Sequence, residues 1–432
     1  MRRFLLMLNP RKKGSCVLLI DGMMDTLYLL AQGVTLLIAL YQFSISLFGI
    51  VRRREKTTHE ASKRFAVFIP AHNEERVVGP LIESLKSQHY PKELFDIHLI
   101  ADNCTDHTAD VGRFHGAIVH ERQDLENVGK GHAIKWILDK LNVEHVSYDA
   151  IVMFDADNLV HYDFLRIMND KLCSGHKVIQ GYLGVKNPFD TWITVSLAIT
   201  YWFDNRMWQY ARSRLGLSCA LGGTGLCIDY SVLHSVGWKG SGLTEDLEFG
   251  VRCLQNGFVP VWAHDAIVYD EKPLSLIASF HQRLRWLQGH FNCARCFMGQ
   301  LLRESIRERS FVKLDMAVYL FQPMRTLIVF AMSTMLYVFN LPAFEGTSSL
   351  HVQQFIPEPV WVLASLVVFL EMALALALER VNWRAYVGLI LVPFFLWTWG
   401  LVSVQAFFTR RNEKWHHTQH RRVIRIDELQ ES

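Results

Sequence analysis

No charged side chain interrupts residues 26–51, and Arg52, Arg53 and Arg54 follow at once. About 20 apolar residues suffice to cross the hydrocarbon core as a helix, so this run predicts a transmembrane helix rather than part of a soluble core. Arginines that flank a span stay on the cytoplasmic side, which places the chain after Arg54 in the cytosol. Arg11, Lys12 and Lys13 on the other flank pull the opposite way, and Met23 is an alternative native start that would leave them out.

Half of the 432 residues are hydrophobic and 20% are charged, more apolar than a soluble domain, and the length calls for more than one structural region. A net charge of +3 provides no chain-wide basic field, so no nucleic-acid partner is expected. Eight scattered cysteines without a recognisable cleavable signal disfavour a secreted disulfide framework and fit a reducing compartment. His290, Cys293 and Cys296 have a ligand-like spacing but no second half-motif, so they read as ordinary helix residues rather than a zinc site.

Five regions follow. Residues 1–55 hold the N-terminal segment and its span. Within 56–272, short apolar runs at 65–70, 97–101 and 150–154 alternate with amphipathic stretches such as 75–88 and 130–141. This β-α-β alternation predicts an α/β domain with a mostly parallel, Rossmann-like sheet and ligand sites at the carboxyl ends of its strands. Residues 273–315 read as interfacial amphipathic helices, 316–410 as C-terminal transmembrane helices and 411–432 as a basic tail.

The candidate C-terminal spans are 324–344, 359–379 and 385–409. The loop 345–358 carries no Lys or Arg, whereas Arg380 and Arg384 separate the last two spans, which places the first loop outside and the second inside. A third full crossing would then put the basic tail outside. Either one apolar segment is interfacial or re-entrant, with Pro393 as the candidate break, or the loops are wrongly placed; a cytoplasmic tail is the expectation. Glu371, inside an apolar span, either lines a path for substrate or packs protonated against a partner helix.

Several strand ends carry polar groups. FAVFIPAHNEE at 65–75 ends a buried strand in a polar turn, where a base or ribose can rest against the Ala71 backbone and the Glu74 carboxylate. Asp102 ends the next strand, either to accept hydrogen bonds from a nucleoside or as a turn or cap residue. FDAD at 154–157 puts two carboxylates just past a strand. Asp155 and Asp157 would repel unless a hard divalent cation that also touches phosphates lies beside them; the alternative is a solvated loop. In NVGKG at 127–131, the glycines permit close approach to a phosphate and Lys130 adds charge. LGGTG at 221–225, with Gly223 and Thr224, lets an acceptor come close or simply turns the chain.

Thr244, Glu245 and Asp246 are either a helix start with an N-cap and acids in its first turn or a catalytic element whose Asp246 deprotonates an acceptor hydroxyl. QRLRW at 282–286 can stack Trp286 on a sugar and bring Arg285 to a diphosphate, or it is the basic face of a helix lying on the membrane.

In this order the motifs resemble the membrane-integrated, processive family 2 glycosyltransferases of the cellulose, chitin, hyaluronan and poly-N-acetylglucosamine synthase type, over roughly residues 60–300. The resemblance implies a cytosolic GT-A-type sheet domain flanked by transmembrane and interfacial helices. It assigns the uridine to Asp102, the diphosphate and a Mg or Mn ion to Asp155 and Asp157, and the base to Asp246. Lys130 and Arg285 would meet the diphosphate, with Ala71 and Glu74 also on the donor side. Gly223, Thr224, Glu245, Gln282 and Trp286 would border the acceptor. Lys414 to Thr418 is similar to a basic Trp-x-x-Thr element of some of these synthases, or is an ordinary juxtamembrane stretch. The family's acceptor-side loop often has Cys, Ser or Ala between glycines, and LGGTG departs from that.

The expected activity is therefore inverting transfer of a hexosyl or N-acetylhexosaminyl group from a UDP-sugar by a multi-pass protein of the cell membrane, with its catalytic domain in the cytoplasm. The first expectation is a β-linked polysaccharide synthase coupled to export, with export or accessory subunits as partners. The second is one-step transfer to a membrane lipid, as in ceramide glucosyltransferases. The third is an inactive subunit that binds nucleotide sugar or polymer.

Overall fold

The computed structural model describes residues 10–55, 57–144, 147–239, 242–339, 356–411 and 422–430. The Lys414 to Thr418 element, the end of the 324–344 segment and most of the loop 345–358 lie outside the described residues.

Eight strands form one sheet: β1 (Phe65–Ala71), β2 (Phe95–Asp102), β3 (Ile118–Arg122), β4 (Ala150–Met153), β5 (Leu159–Val160), β6 (Val178–Val185), β7 (Leu226–Asp229) and β8 (Val261–Asp270). Their order is β3-β2-β1-β4-β7-β6-β8-β5. β1 lies parallel to both β2 and β4, β3 is parallel to β2 and β8 to β6, whereas β7 is antiparallel to β4 and β6, and β5 to β8. The parallel strands β1, β2 and β4 thus lie side by side and end at one side of the sheet, and the carboxyl ends of such strands are where open α/β sheets bind ligands.

The longer helices are α1 (Pro10–Ser46), α2 (Val78–Lys86), α3 (Lys130–Val143), α4 (Phe164–Cys173), α5 (Trp192–Phe203), α6 (Glu245–Gln255), α7 (Leu276–Arg307), α8 (Phe311–Leu320), α9 (Gln322–Phe339), α10 (Glu358–Leu378) and α11 (Val392–Thr409). Apolar residues fill both faces of β1 because helices cover both. Phe65, Val67 and Ile69 pack with Leu81, Ile82 and Leu85 of α2. Ala66 and Phe68 pack with Ile134, Ile137 and Leu138 of α3. This is why the strand reads as a continuous apolar run rather than an alternating one.

Three helical stretches are long and apolar enough to cross a membrane, Thr26–Gly49, Glu358–Leu378 and Arg384–Thr409, and α8 with the first part of α9 joins them if counted across a 46° bend. Side-chain bonds orient α1 and α10. Gln32 accepts from the Ile356 N–H at 3.1 Å, Ser46 donates to Glu371, and beyond both helices Arg206 of the sheet domain donates to the Gly49 carbonyl at 2.7 Å and pairs with Glu379 at 3.2 Å. The two helices therefore run side by side in one direction, carboxyl ends toward the sheet domain. α9 starts at that same end, where Arg325 bonds Gln42.

α11 behaves differently. Phe395 packs on Ile193 and Leu197 of α5, and the Arg283 guanidinium lies 4.5 Å from its ring centre. Thr398 accepts from Arg283 at 2.8 Å, Val402 and Ala406 pack on Leu287 and Phe291, and the Thr409 hydroxyl accepts from Gln288 at 2.8 Å. From 395 to 409 the helix thus lies lengthwise along the first half of α7. Just before it, residues Leu389–Leu391 tighten into a 3-10 turn, next to Pro393, which has no N–H for the helical ladder.

Candidate active site

Asn73 and Asn103 take left-handed backbone angles, φ 56° and 51°. Asparagine tolerates this region, and the sharp turns it permits expose the ends of β1 and β2 to one cleft. The parallel register sets Asp102 opposite Arg122, whose Nη1 donates to Asp102 Oδ1 at 2.6 Å with both side chains about 5–6% exposed. Burial pushes the Asp102 carboxyl up and Arg122 only partly pulls it back. Arg122 also donates to Asp124 and to the Asn127 carbonyl, each at 2.8 Å, fixing the loop that leads to Gly129 and Lys130.

At the end of β4, the Asp155 N–H is held by Asn158 at 3.0 Å and by the Thr224 hydroxyl at 3.2 Å. Lys130 Nζ donates to Asp155 Oδ1 at 2.5 Å and to the Gly223 carbonyl at 2.7 Å. Burial alone would lower the Lys130 pKa, but the carboxylates of Asp155, Glu245 and Asp246 more than offset it, so the ammonium is held. Asp157 Oδ2 accepts from the Glu271 N–H at 2.9 Å, and Lys186 donates to the Asp157 carbonyl at 2.9 Å. Burial raises the Asp270 carboxyl to about 6; Lys272 opposes this, and Asp157 and Asp155 add to it. Carboxylate oxygens are the ligands a hard divalent cation takes, and Asp155 and Asp157 are the side chains here that would supply them to one.

Asp246 is the second residue of α6, and its Oδ1 accepts from the Leu247 N–H at 2.8 Å. Burial, then the charge of Glu245, pushes its carboxyl up to about 7. Gly223 approaches it from the facing loop with φ +76°; a Cβ there would stand 3.2 Å from Asp246 Oδ2 and 3.6 Å from Lys130 Nζ. Thr244 precedes the helix without a side-chain capping bond. It packs on α7 instead, where a Cβ on Gly289 would come within 2.4 Å of its side chain. α7 therefore lies against the start of α6 and brings Gln282, Arg285 and Trp286 to the same space.

One cavity of about 1350 Å³ joins these groups. It is lined by Ala71, Glu74, Asp102, Lys130, Asp155, Asp157, Gly223, Thr224, Glu245, Asp246, Gln282, Arg285 and Trp286, and it continues between α1, α9 and α10 past Gln42, Arg325 and Glu371. Residues 62–289, more than half the chain, match the model of a family described as glycosyltransferase like family 2. The chain belongs to that family.

Among relatives of this glycosyltransferase, the probable glycosyltransferase YdaM of Bacillus subtilis (strain 168) is 24% identical over 82% of this chain and 86% of its own length. A β-monoglucosyldiacylglycerol synthase of Nostoc sp. (strain PCC 7120) is 26% identical over 60% of this chain; this chain spans 55% of that protein. The solved mannosyltransferase PcManGT from Pyrobaculum calidifontis, in complex with GDP-Man and Mn2+, matches with a TM-score of 0.57 and 13% identity, over 91% of this chain and 100% of that one. At that identity the likeness is one of fold, and the fold is the GT-A type.

The residues assigned from the sequence to donor, metal, acceptor and base all line one cavity of the glycosyltransferase. The Thr224 hydroxyl donates to Asn158 and accepts from the Asp155 N–H, which ties the loop after β4 to the loop before β7. Arg122, Lys186 and Glu271 were not foreseen, since they belong to no motif. A cue existed for the last, because Asp270-Glu271-Lys272 follows a strand as FDAD does. In QRLRW the arginines divide: Arg283 is buried between Phe395 and Trp399, and Arg285 lines the cavity. His290 approaches the Tyr319 carbonyl at 3.2 Å and Cys293 lies 3.7 Å from Thr244. Among the described residues no group of three His, Cys, Asp or Glu side chains is placed to hold a metal.

Proposed function

We propose that this glycosyltransferase transfers a sugar from a UDP-sugar, with inversion, to a glycan that it extends and passes into the membrane. The observation that carries this reading is the continuity of the cavity from Asp155 and Asp157, past Asp246 and Trp286, to the space between α1, α9 and α10. Asp102, with Arg122 behind it, would accept hydrogen bonds from the uracil or ribose. Asp155 and Asp157 would hold a Mg or Mn ion, which supplies positive charge to the departing diphosphate. Lys130, fixed between Asp155 and Gly223, and Arg285 would bind the phosphates as they leave.

Transfer then needs one base. The acceptor oxygen attacks the anomeric carbon, Asp246 takes its proton, and the bond from that carbon to the phosphate oxygen breaks. Trp286 would stack on the acceptor sugar and Gln282, whose Oε1 is buried without a partner, would take one of its hydroxyls. We place the sheet domain in the cytoplasm with α1, α9 and α10 as crossings and Arg384–Thr409 in the plane of the membrane, supported by the contacts of α11 along α7.

A second reading is a single transfer to a lipid. The name of the Nostoc relative favours it, as does a membrane half of the cavity framed by few helices.

Purified protein in nanodiscs, given Mg or Mn and a panel of labelled UDP-sugars, should consume one donor and release a long product. A single-sugar glycolipid would select the second reading, and no turnover with any donor or lipid would overturn both. Asp246→Asn should abolish transfer while UDP still binds; unchanged transfer would remove the base assignment.

A further inference from the structure

The final described segment, residues 422–430, does not trail from the membrane helices; it returns to the sheet domain. Ile426 is 6% exposed there. Arg425 pairs with Glu83 of α2 at 3.3 Å, and Asp427 accepts from the Tyr162 hydroxyl. Arg422 makes the contacts nearest the site. Its Nη1 lies 3.0 and 2.9 Å from the two oxygens of Asp190, and its backbone N–H donates to Glu271 Oε2 at 3.0 Å.

Those two acidic residues belong to the loops beneath Asp157. The loop after β6 supplies Lys186, which donates to the Asp157 carbonyl at 2.9 Å, and the loop after β8 supplies the Glu271 N–H on Asp157 Oδ2, also at 2.9 Å. The loops are tied to each other by a reciprocal pair: Asn187 donates to the Lys272 carbonyl at 2.9 Å, and the Lys272 N–H donates to Asn187 at 2.8 Å. Arg422 closes the outer side of this assembly by bridging Asp190 on one loop and Glu271 on the other. Glu271 thus touches both the C-terminal segment and the second carboxylate of FDAD.

We propose that residues 422–430 form a strap that positions Asp157 for the metal and diphosphate, with Arg422 and Glu271 as the positioning residues that connect it. The inference rests on the assignment of Asp157 to the metal. While the strap is seated, the Glu271 side chain is held away by Arg422 and its backbone N–H stays aimed at Asp157. When the strap lifts, both loops lose their outer brace and the carboxylate loses its fixed direction. Partly exposed ion pairs hold weakly, so apart from the Ile426 anchor the strap is built to come off and reseat.

The test uses the full chain in nanodiscs and reads Mn2+ binding in the presence of UDP by electron paramagnetic resonance, alongside tryptic cleavage after Arg425 and thermal unfolding. R422E and Ile426→Asp should each speed cleavage and weaken Mn2+ about ten-fold, the lower end for loss of an outer partner of a metal ligand, with the unfolding temperature unchanged. The charge exchange R422E with Asp190→Arg should restore both protection and Mn2+ affinity. Faster cleavage with wild-type Mn2+ affinity, or unaltered cleavage in both variants, would overturn the strap. Failure of the wild-type protein itself to bind Mn2+ would instead remove the metal assignment beneath it.

Discussion

Asp246, the base we propose, is hard to ionise. Burial and the adjacent Glu245 bring its carboxyl up to about 7, and a base acts only in its ionised form, so transfer should rise with pH through about 7. Glu245→Gln removes a neighbouring negative charge and should move that limb to lower pH; a kcat/KM profile in which the limb stays put would uncouple the two residues. Arg122 plays a quieter part. Arg122→Ala leaves the Asp102 carboxylate buried and uncompensated, and should cost about 3–5 kcal/mol, measured by denaturant unfolding, together with a higher KM for the donor. Asp102 was legible in the sequence because it ends an apolar run. Arg122 was not, because only the register of β3 on β2 brings it there, and no local pattern encodes register between strands.

At the scale of elements, α7 shows how one amphipathic stretch packs on a neighbouring helix with one face and lines the cavity with another. Successive residues of a helix point about 100° apart, so QRLRW sends Arg283 to the aromatic side chains of α11 while Gln282, Arg285 and Trp286 face the cavity. The sequence left sugar stacking and membrane contact as alternatives; in the structure Arg285 and Trp286 line the cavity and Arg283 packs on α11. Two turns on from Gln282, the same side of α7 meets the start of α6 at Gly289, where a Cβ would come within 2.4 Å of Thr244. Gly289→Val should force the helices apart, lowering kcat at least ten-fold and stability by about 1–3 kcal/mol; a variant with wild-type kcat would show that this contact does not set the site. Thr244 itself looked like a helix cap by residue type, yet its hydroxyl faces α7, because packing between two helices outweighs one capping bond.

For the whole molecule, the sheet, its alternation and its ligand edge were legible from the apolar periodicity, whereas the number of crossings was not. Hydropathy measures how apolar a segment is and carries no information on whether it stands across the bilayer or lies along a helix at its face. The contacts of α11 along α7 and of Arg422 with the sheet domain support the proposal that Arg384–Thr409 lies along the membrane, which would remove the conflict between three C-terminal spans and a basic tail. Cysteines at Arg54 and Arg411 should be labelled from the same side of sealed vesicles, and one at Glu358 from the other; Arg411 labelled with Glu358 would make Arg384–Thr409 a crossing after all.

The seating of α11 along α7 has a mechanical consequence. On the proposed placement, the helix that lines the site with Gln282, Arg285 and Trp286 is braced on one side by Thr244 and on the other by a greasy rod that would float in the bilayer surface. Thinning, stretching or stiffening of the lipid would raise or lower that rod and tilt the wall of the site against Asp246. Lateral pressure in the membrane would then be an input to the rate, and the enzyme would sense the physical condition of the surface on which it works.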